Sequence, residues 1–154
     1  MGGVSQQPAV VDALVVVLTA ALPAVRVLDG PGITDDSARA WLFVGDDDPD
    51  STGAPTAVEG SQSWAGLGRR SRDEEFTVWC TCVCWSGDDA LKPVRDAAYG
   101  IVAQLEATIV ADPTLGGIAL WCGLGAVRLR QNATDRGVEA HVTVGVDVRT
   151  RLSS

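Results

Sequence analysis

Apolar residues spaced three and four positions apart predict two helices. The first covers residues 10–22, where only Asp12 and Thr19 interrupt an apolar run and Pro23 ends it. The second follows a turn at 86–89, and its apolar positions are Leu91, Val94, Ala98, Ile101, Val102, Leu105 and Ile109. Because the first helix is apolar on nearly all sides, we expect the rest of the fold or another copy of the chain to cover it.

Alternating and continuous apolar positions predict strands at residues 24–28, 39–45, 76–85, 118–130 and 138–148. Both faces of 76–85 are apolar, which is typical of a central strand. Segment 138–148 alternates valine with polar residues, so we expect one face to be buried and the other to be wet or in contact with a partner. Gly123 and Gly125 indicate a bend or a bulge in the strand at 118–130.

This order of elements predicts an α+β fold, in which a mostly antiparallel sheet of about four to five strands is backed by two helices. With 154 residues, the chain has the size of a single domain spanning 1–154. An apolar fraction of 46% is enough for a hydrophobic core. We therefore expect one globular domain.

A long polar segment, residues 46–75, separates the second and third predicted strands and shows no hydrophobic period. Loops of this length are usually functional or disordered, so we predict an extended arm that becomes ordered against something else. Trp64 is expected either to pack on its own domain or to dock on a neighbour. The candidate interface residues are the acidic Asp46, Asp47 and Asp48, the apolar Trp64 and Leu67, and the basic Arg69, Arg70 and Arg72.

Charge and hydropathy exclude some classes of protein. There are 20 acidic and 12 basic residues, and the resulting net charge of -8 disfavours a protein that reads nucleic acid. No apolar run reaches the roughly 18 to 20 residues that cross a bilayer, and no secretory signal is recognisable. We expect a chain that is soluble and stays in the compartment where it is made.

Catalytic and metal-binding signals are weak. Cys80, Cys82 and Cys84 alternate on a predicted strand, where they are too far apart for disulfides and lack the turn of a zinc knuckle, so we interpret them as buried apolar side chains. His141 lies on the polar face of the last predicted strand without a nucleophile motif, and we interpret it as an exposed residue. The acidic residues after 45 do not follow the spacing of a calcium-binding loop. We expect no catalytic residue, metal or cofactor.

Several motifs together resemble the tail terminator (tail completion) proteins of long-tailed phages, particularly those that infect GC-rich actinobacteria. The similar segments are 43–45 (Phe-Val-Gly), 64–68 (Trp-Ala-Gly-Leu-Gly), 76–80 (Phe-Thr-Val-Trp-Cys), 85–89 (Trp-Ser-Gly-Asp-Asp), the helix containing Arg95, 112–117 (Asp-Pro-Thr-Leu-Gly-Gly) and the last strand. The resemblance spans about residues 8–151.

The resemblance implies a structural virion protein without a cofactor or enzymatic activity. Such a subunit forms a hexameric ring that caps the tail tube and offers the surface for head attachment. Its partners are its own copies, the tail tube protein and a head-closure or neck protein, and DNA passes through the ring without specific binding. The expected location is the neck end of the tail in the virion, and the host cytoplasm during assembly. The resemblance also implies that 46–75 is a ring or tube contact.

Two alternatives remain open at this point. The first is another neck protein, such as a head-closure or head-to-tail joining protein. The second is a small-ligand-binding or hydrolytic α+β domain, which requires a concave site with convergent polar groups that the sequence does not reveal.

Overall fold

The computed structural model describes residues 3–32, 38–67 and 70–153, which form two helices and a six-stranded sheet. The helices are α1 (Gln7–Ala21) and α2 (Leu91–Ala111). The strands are β1 (Arg26–Asp29), β2 (Ala40–Val44), β3 (Val58–Trp64), β4 (Arg72–Ser86), β5 (Trp121–Thr134) and β6 (Gly137–Leu152). The α+β class with two helices and a mostly antiparallel sheet is therefore confirmed.

Strand β4 lies at the centre of the sheet, as the sequence predicts. The strand order is β1-β2-β4-β6-β5, and β3 also pairs with β4. β6 pairs with β4 from Arg72↔Leu152 to Ser86↔Val138. Along its other edge, β4 pairs first with β3 and then with β2. The only parallel pair among the described strands is β1 with β2.

The main core lies between the helices and one face of the sheet. α1 contributes Val10, Leu14 and Leu18, and α2 contributes five buried residues at three- and four-residue spacing. Cys80, Cys82 and Cys84 belong to this core as free thiols, which confirms that they are packed apolar side chains. Burial raises the pKa of Cys80 to about 12, so its thiol stays protonated.

The second face of the sheet is covered in part, by the chain that follows β2. Gly45, with a φ of 84°, turns the chain, and its N–H donates to the Trp79 carbonyl over 2.7 Å. Residues 46–50 then contact β4, β5 and β6. His141 and Thr143, on the predicted wet face of β6, are buried as a result. The interpretation of His141 as an exposed residue was wrong, because periodicity does not show which loop returns over a strand.

The segment 46–75 is not a structureless loop, because it contains β3 and the beginning of β4. β3 pairs with β4 from Val58↔Val78 to Trp64↔Arg72. β4 extends beyond β2, which leaves an open hydrogen-bonding edge that β3 occupies. Nearly all of β3 is exposed, so its side chains give no hydrophobic alternation. The sheet therefore has more strands than the four to five predicted.

Two further features qualify the sequence predictions. A register shift between Leu124 and Val127 confirms an irregularity in β5 close to Gly123 and Gly125. α1 is covered by its own domain only on one side, since Val16 remains 71% exposed.

None of the helices in the described ranges is both long and apolar enough to cross a bilayer.

Candidate functional site

β3 and the first residues of β4 form a hairpin, which we call the arm and which the structure describes over residues 58–67 and 70–75; most of its side chains are exposed. Its tip carries Trp64, which is 70% exposed, and Leu67, which is fully exposed. The Arg72 guanidinium lies over the Trp64 ring, 5.9 Å from its centroid, and donates to Gln62 Oε1 over 2.9 Å. The exposed Arg70 follows the tip. The structure therefore presents apolar side chains and positive charge together.

Arg69 is the one predicted interface residue whose structure is not given, because Gly68 and Arg69 lie outside the described residues. On either side of them, the Ala65 N–H donates to the Ser71 carbonyl over 3.0 Å. This hydrogen bond extends the ladder of β3 and β4 one step beyond Trp64. The tip is consequently held by backbone pairing up to residue 65.

The base of the arm is anchored by Glu74, a buried carboxylate that sequence reasoning missed. Glu74 accepts hydrogen bonds from Ser5 Oγ (2.6 Å), Gln6 N–H (2.8 Å) and Gln62 Nε2 (2.8 Å), and from Thr150 Oγ1 (3.2 Å). Burial opposes ionisation, but these four donors outweigh it and hold the pKa of Glu74 below its usual range. One carboxylate thus joins the start of α1, β3 and β6 to β4.

The acidic candidates Asp46, Asp47 and Asp48 lie on the sheet of their own chain. Asp46 is buried, its carboxylate accepts the Asp48 N–H over 2.9 Å, and its carbonyl accepts Thr81 Oγ1 over 2.8 Å. Desolvation by burial raises the pKa of Asp46. The Asp47 carbonyl accepts Arg128 Nη2 over 2.9 Å. Asp48 accepts Arg130 Nη1 over 2.9 Å, and this contact lowers the pKa of Asp48.

The acidic and the apolar candidates are not brought together. Thr81 donates to Asp46, whereas Arg72 is the register partner of Trp64. Thr81 and Arg72 are nine residues apart on β4. At the rise of an extended strand, nine residues correspond to about 30 Å. The seven predicted interface residues that the structure describes therefore divide into an acidic loop that contacts the sheet of its own chain and an arm that carries the apolar and basic side chains.

A second exposed apolar feature lies between α1 and the connection from α2 to β5. It is an open groove of about 540 Å³, here called the α1 groove, whose apolar lining consists of Ala9, Ala13, Val16, Val17, Leu115 and Ile118. Asp12 and Asp112 lie at the same groove. Hydrogen bonds from Thr114 and Gly116 lower the pKa of Asp112, so its carboxylate is ionised at neutral pH. The groove therefore combines apolar surface with negative charge.

The buried face of β6 provides a third feature. His141 is 4% exposed and lines a cavity of about 520 Å³ together with Trp41, Trp85, Asp50 and Glu139. Its described hydrogen-bond and ion-pair partners are Glu139 and Asp50, and neither is a hydroxyl or a thiol. The described partners of His141 are therefore carboxylates, not the hydroxyl or thiol of a catalytic triad. The alternation of β6 already places Glu139 and His141 on one face, but it contains no signal for Asp50.

In comparisons with known proteins, no protein-family model and no curated protein matches this chain.

Proposed function

We propose that the chain is a structural subunit of a phage tail, a tail terminator that forms a ring on the end of the tail tube and offers the surface for head attachment. The resemblance of its motifs supports this role. The observation that carries the proposal is the exposure of Trp64 and Leu67 on a hairpin whose base is fixed by Glu74. Large apolar side chains on a preorganised element are favourable anchors for protein contacts.

The ring contact that we propose joins the arm tip of one copy to the α1 groove of the next. The tip offers Trp64, Leu67 and the positive charge of Arg72, while the groove offers Val16 and Ile118 with the negative charge of Asp12 and Asp112. Apolar surface meets apolar surface, and opposite charges face each other. Because two different surfaces are used, the contact is heterologous and produces a ring when its rotation closes.

The strength of this contact comes mainly from its apolar side chains. Complete burial of a large apolar side chain contributes on the order of 1.5–3 kcal/mol before the costs of association are subtracted. Trp64 starts 70% exposed and Leu67 fully exposed, so both have most of this free energy to gain. A closed ring makes one such contact for every subunit, so no tip or groove remains unoccupied.

Capping a tube requires the ring to match the tube end with one side and to reject further tube subunits with the other. The proposed partners are accordingly the tail tube protein on one side and a head-closure or neck protein on the other. The net charge of -8 fits a ring through which DNA slides without specific binding. Arg130 forms an ion pair with Asp48, which compensates part of its positive charge, and Arg128 donates to the Asp47 backbone carbonyl.

The direct test is to mix the purified chain with a polymerising tail tube protein and to examine the tubes by electron microscopy. We expect short tubes with a ring at one end. The variant Trp64→Ala/Leu67→Ala should leave the tubes uncapped while its circular dichroism spectrum stays unchanged. The matched control Leu120→Ala/Trp121→Ala changes the same residue types where each is 52% exposed, and it should still cap. Rings that leave tube growth unaffected would contradict the proposal and favour another neck protein.

A further inference from the structure

The strand β6 and the chain after β2 bring an imidazole and two carboxylates together. Glu139 and His141 are two residues apart on β6, so their side chains leave the same face of the sheet. Asp50 comes from the chain that crosses this face after Gly45. These residues come from two distant parts of the sequence, and only the return of this chain over the sheet joins them.

The distances among the three side chains are those of metal ligands. His141 Nε2 is 2.9 Å from Glu139 Oε2 and 3.6 Å from Asp50 Oδ2, and the three donor atoms lie within 4.8 Å of one another. Zinc bonds to nitrogen and oxygen of about 2.0–2.1 Å in a tetrahedron place neighbouring donor atoms about 3.3 Å apart. Side-chain movements of a few tenths of an ångström to about one ångström would therefore centre an ion between them.

Two buried polar atoms at the same cavity lack a partner. Trp41 Nε1 and His141 Nδ1 are buried without a hydrogen bond to the described residues, and both residues line the cavity of about 520 Å³. Trp41 is 5% exposed and His141 is 4% exposed. Leaving a buried donor unpaired is unfavourable, so the cavity is suited to a polar occupant. A water molecule on a metal ion would supply an acceptor for the Trp41 N–H.

We propose that Asp50, Glu139 and His141 bind a divalent first-row transition metal ion, with Zn²⁺ as the ion that fits best. An imidazole in the donor set favours Zn²⁺ over Mg²⁺ and Ca²⁺, which prefer oxygen ligands throughout. The three side chains leave a fourth coordination position open toward the cavity. The ion neutralises two carboxylates and fastens the chain around residue 50 to β6.

The cysteines do not compete for this ion. Cys80, Cys82 and Cys84 are buried in the core on the helix side of the sheet, whereas His141 lies on the opposite side. Cys122 is also buried in that core, and desolvation raises its pKa to about 11. Thiolates are the form that binds zinc, so Cys80 and Cys122, whose pKa values are raised by burial, are poor ligands in the folded protein.

The test is a calorimetric titration of the tag-free, full-length chain with Zn²⁺, combined with visible spectroscopy of Co²⁺ in its place. We expect one Zn²⁺ per chain, a rise in Tm on binding, and a Co²⁺ spectrum of a four-coordinate site without a thiolate band. His141→Gln, Glu139→Gln and Asp50→Asn should each weaken affinity at least tenfold. Asp50 is the most exposed of the three, so Asp50→Asn is the variant least able to disturb the fold.

The control is Glu59→Gln, which removes an exposed carboxylate on β3 and should leave Zn²⁺ affinity unchanged. Absence of saturable Zn²⁺ binding by the wild-type chain would overturn the proposal. Equal affinity of the wild-type chain and Asp50→Asn would overturn it as well, and a thiolate-to-cobalt band would place the ion on cysteine instead. These outcomes do not depend on ring assembly, so they leave the proposed function to its own test.

Discussion

Glu74 shows how a single buried residue can fix the direction of an exposed one. Its carboxylate lies within β4, yet its four hydrogen bonds reach the start of α1, β3 and β6. Hydrogen bonds to an ionised acceptor are about twice as strong as those between neutral groups. The arm that carries Trp64 is therefore held at its base by a carboxylate charge that four neutral donors stabilise.

Replacing Glu74 should reveal this role through its pH dependence. We expect Glu74→Gln to lower the free energy of unfolding at pH 7 by about 1.5–3 kcal/mol, because a neutral amide replaces a charged acceptor and adds a donor. The folded-state pKa of Glu74 is lowered, so its contribution is fully present above the unfolded pKa and is lost as the pH falls through the folded pKa. The difference between the two proteins should therefore shrink below about pH 4.

Urea unfolding of both proteins at several pH values would measure this difference. The control is Glu75→Gln, which changes the neighbouring exposed carboxylate beside Arg149 and should have a small effect at pH 7. A gap between wild type and Glu74→Gln that stays constant down to pH 3 would show that ionisation of Glu74 does not stabilise the fold.

At the residue scale, the sequence predicts environments that follow from periodicity. Cys80, Cys82 and Cys84 occupy alternate positions of β4 and share its core face. Their burial was predicted for that reason. The alternation of β6 places His141 on the polar face of the strand. Its burial depends on the chain around Asp50, which periodicity does not describe. Glu74 lies in a charged run, and nothing in the sequence distinguishes it from its exposed neighbour Glu75.

At the scale of elements, β3 depends on a close approach that only glycine permits. Gly60 lies opposite Phe76, and a Cβ atom at this position would collide with the Phe76 side chain and with the Glu75 carbonyl. A methyl group here forces the two strands apart. β3 contributes little hydrophobic burial of its own, so its pairing is sensitive to such a change.

We expect Gly60→Ala to increase amide hydrogen exchange throughout β3 by at least tenfold, while exchange in α2 and β6 stays nearly unchanged. The matched control is Gly66→Ala, at a position near the tip where an added Cβ meets no atom within 4 Å. Hydrogen exchange followed by mass spectrometry would compare the three proteins. Equal protection of β3 in all of them would refute the role given to Gly60.

Elements with a buried periodic face were predictable, and β3 was not. The predicted helices at 10–22 and around 91–109 correspond to α1 and α2, because their core positions recur every three to four residues. β3 is held by backbone pairing to the free edge of β4, and its exposed side chains carry no pattern. The glycine at position 45 indicates a turn from the sequence alone. Which surface the following chain covers depends on tertiary contacts that the local sequence does not show.

At the scale of the whole molecule, a heterologous contact makes a prediction that a symmetric contact does not. Trp64→Ala/Leu67→Ala removes the tip but keeps the α1 groove, whereas Val16→Asp damages the groove but keeps the tip. We expect each variant alone to be monomeric and their mixture to form dimers, since each mixed pair has one intact tip and one intact groove. Val16 is exposed, so its replacement should leave the fold intact.

Analytical ultracentrifugation of the separate and mixed variants would check this expectation. Dimers in the mixture would support contact between tip and groove. A mixture that stays monomeric would show that the tip of one copy does not meet the groove of another, and rings formed by either variant alone would show that the assembly uses other surfaces.

A ring-forming subunit should show a native mass of six copies when the wild-type protein is measured at micromolar concentration. We expect this discrete species to be lost in Trp64→Ala/Leu67→Ala. A single-chain mass that persists at high concentration, both alone and together with a tail tube protein, would contradict it.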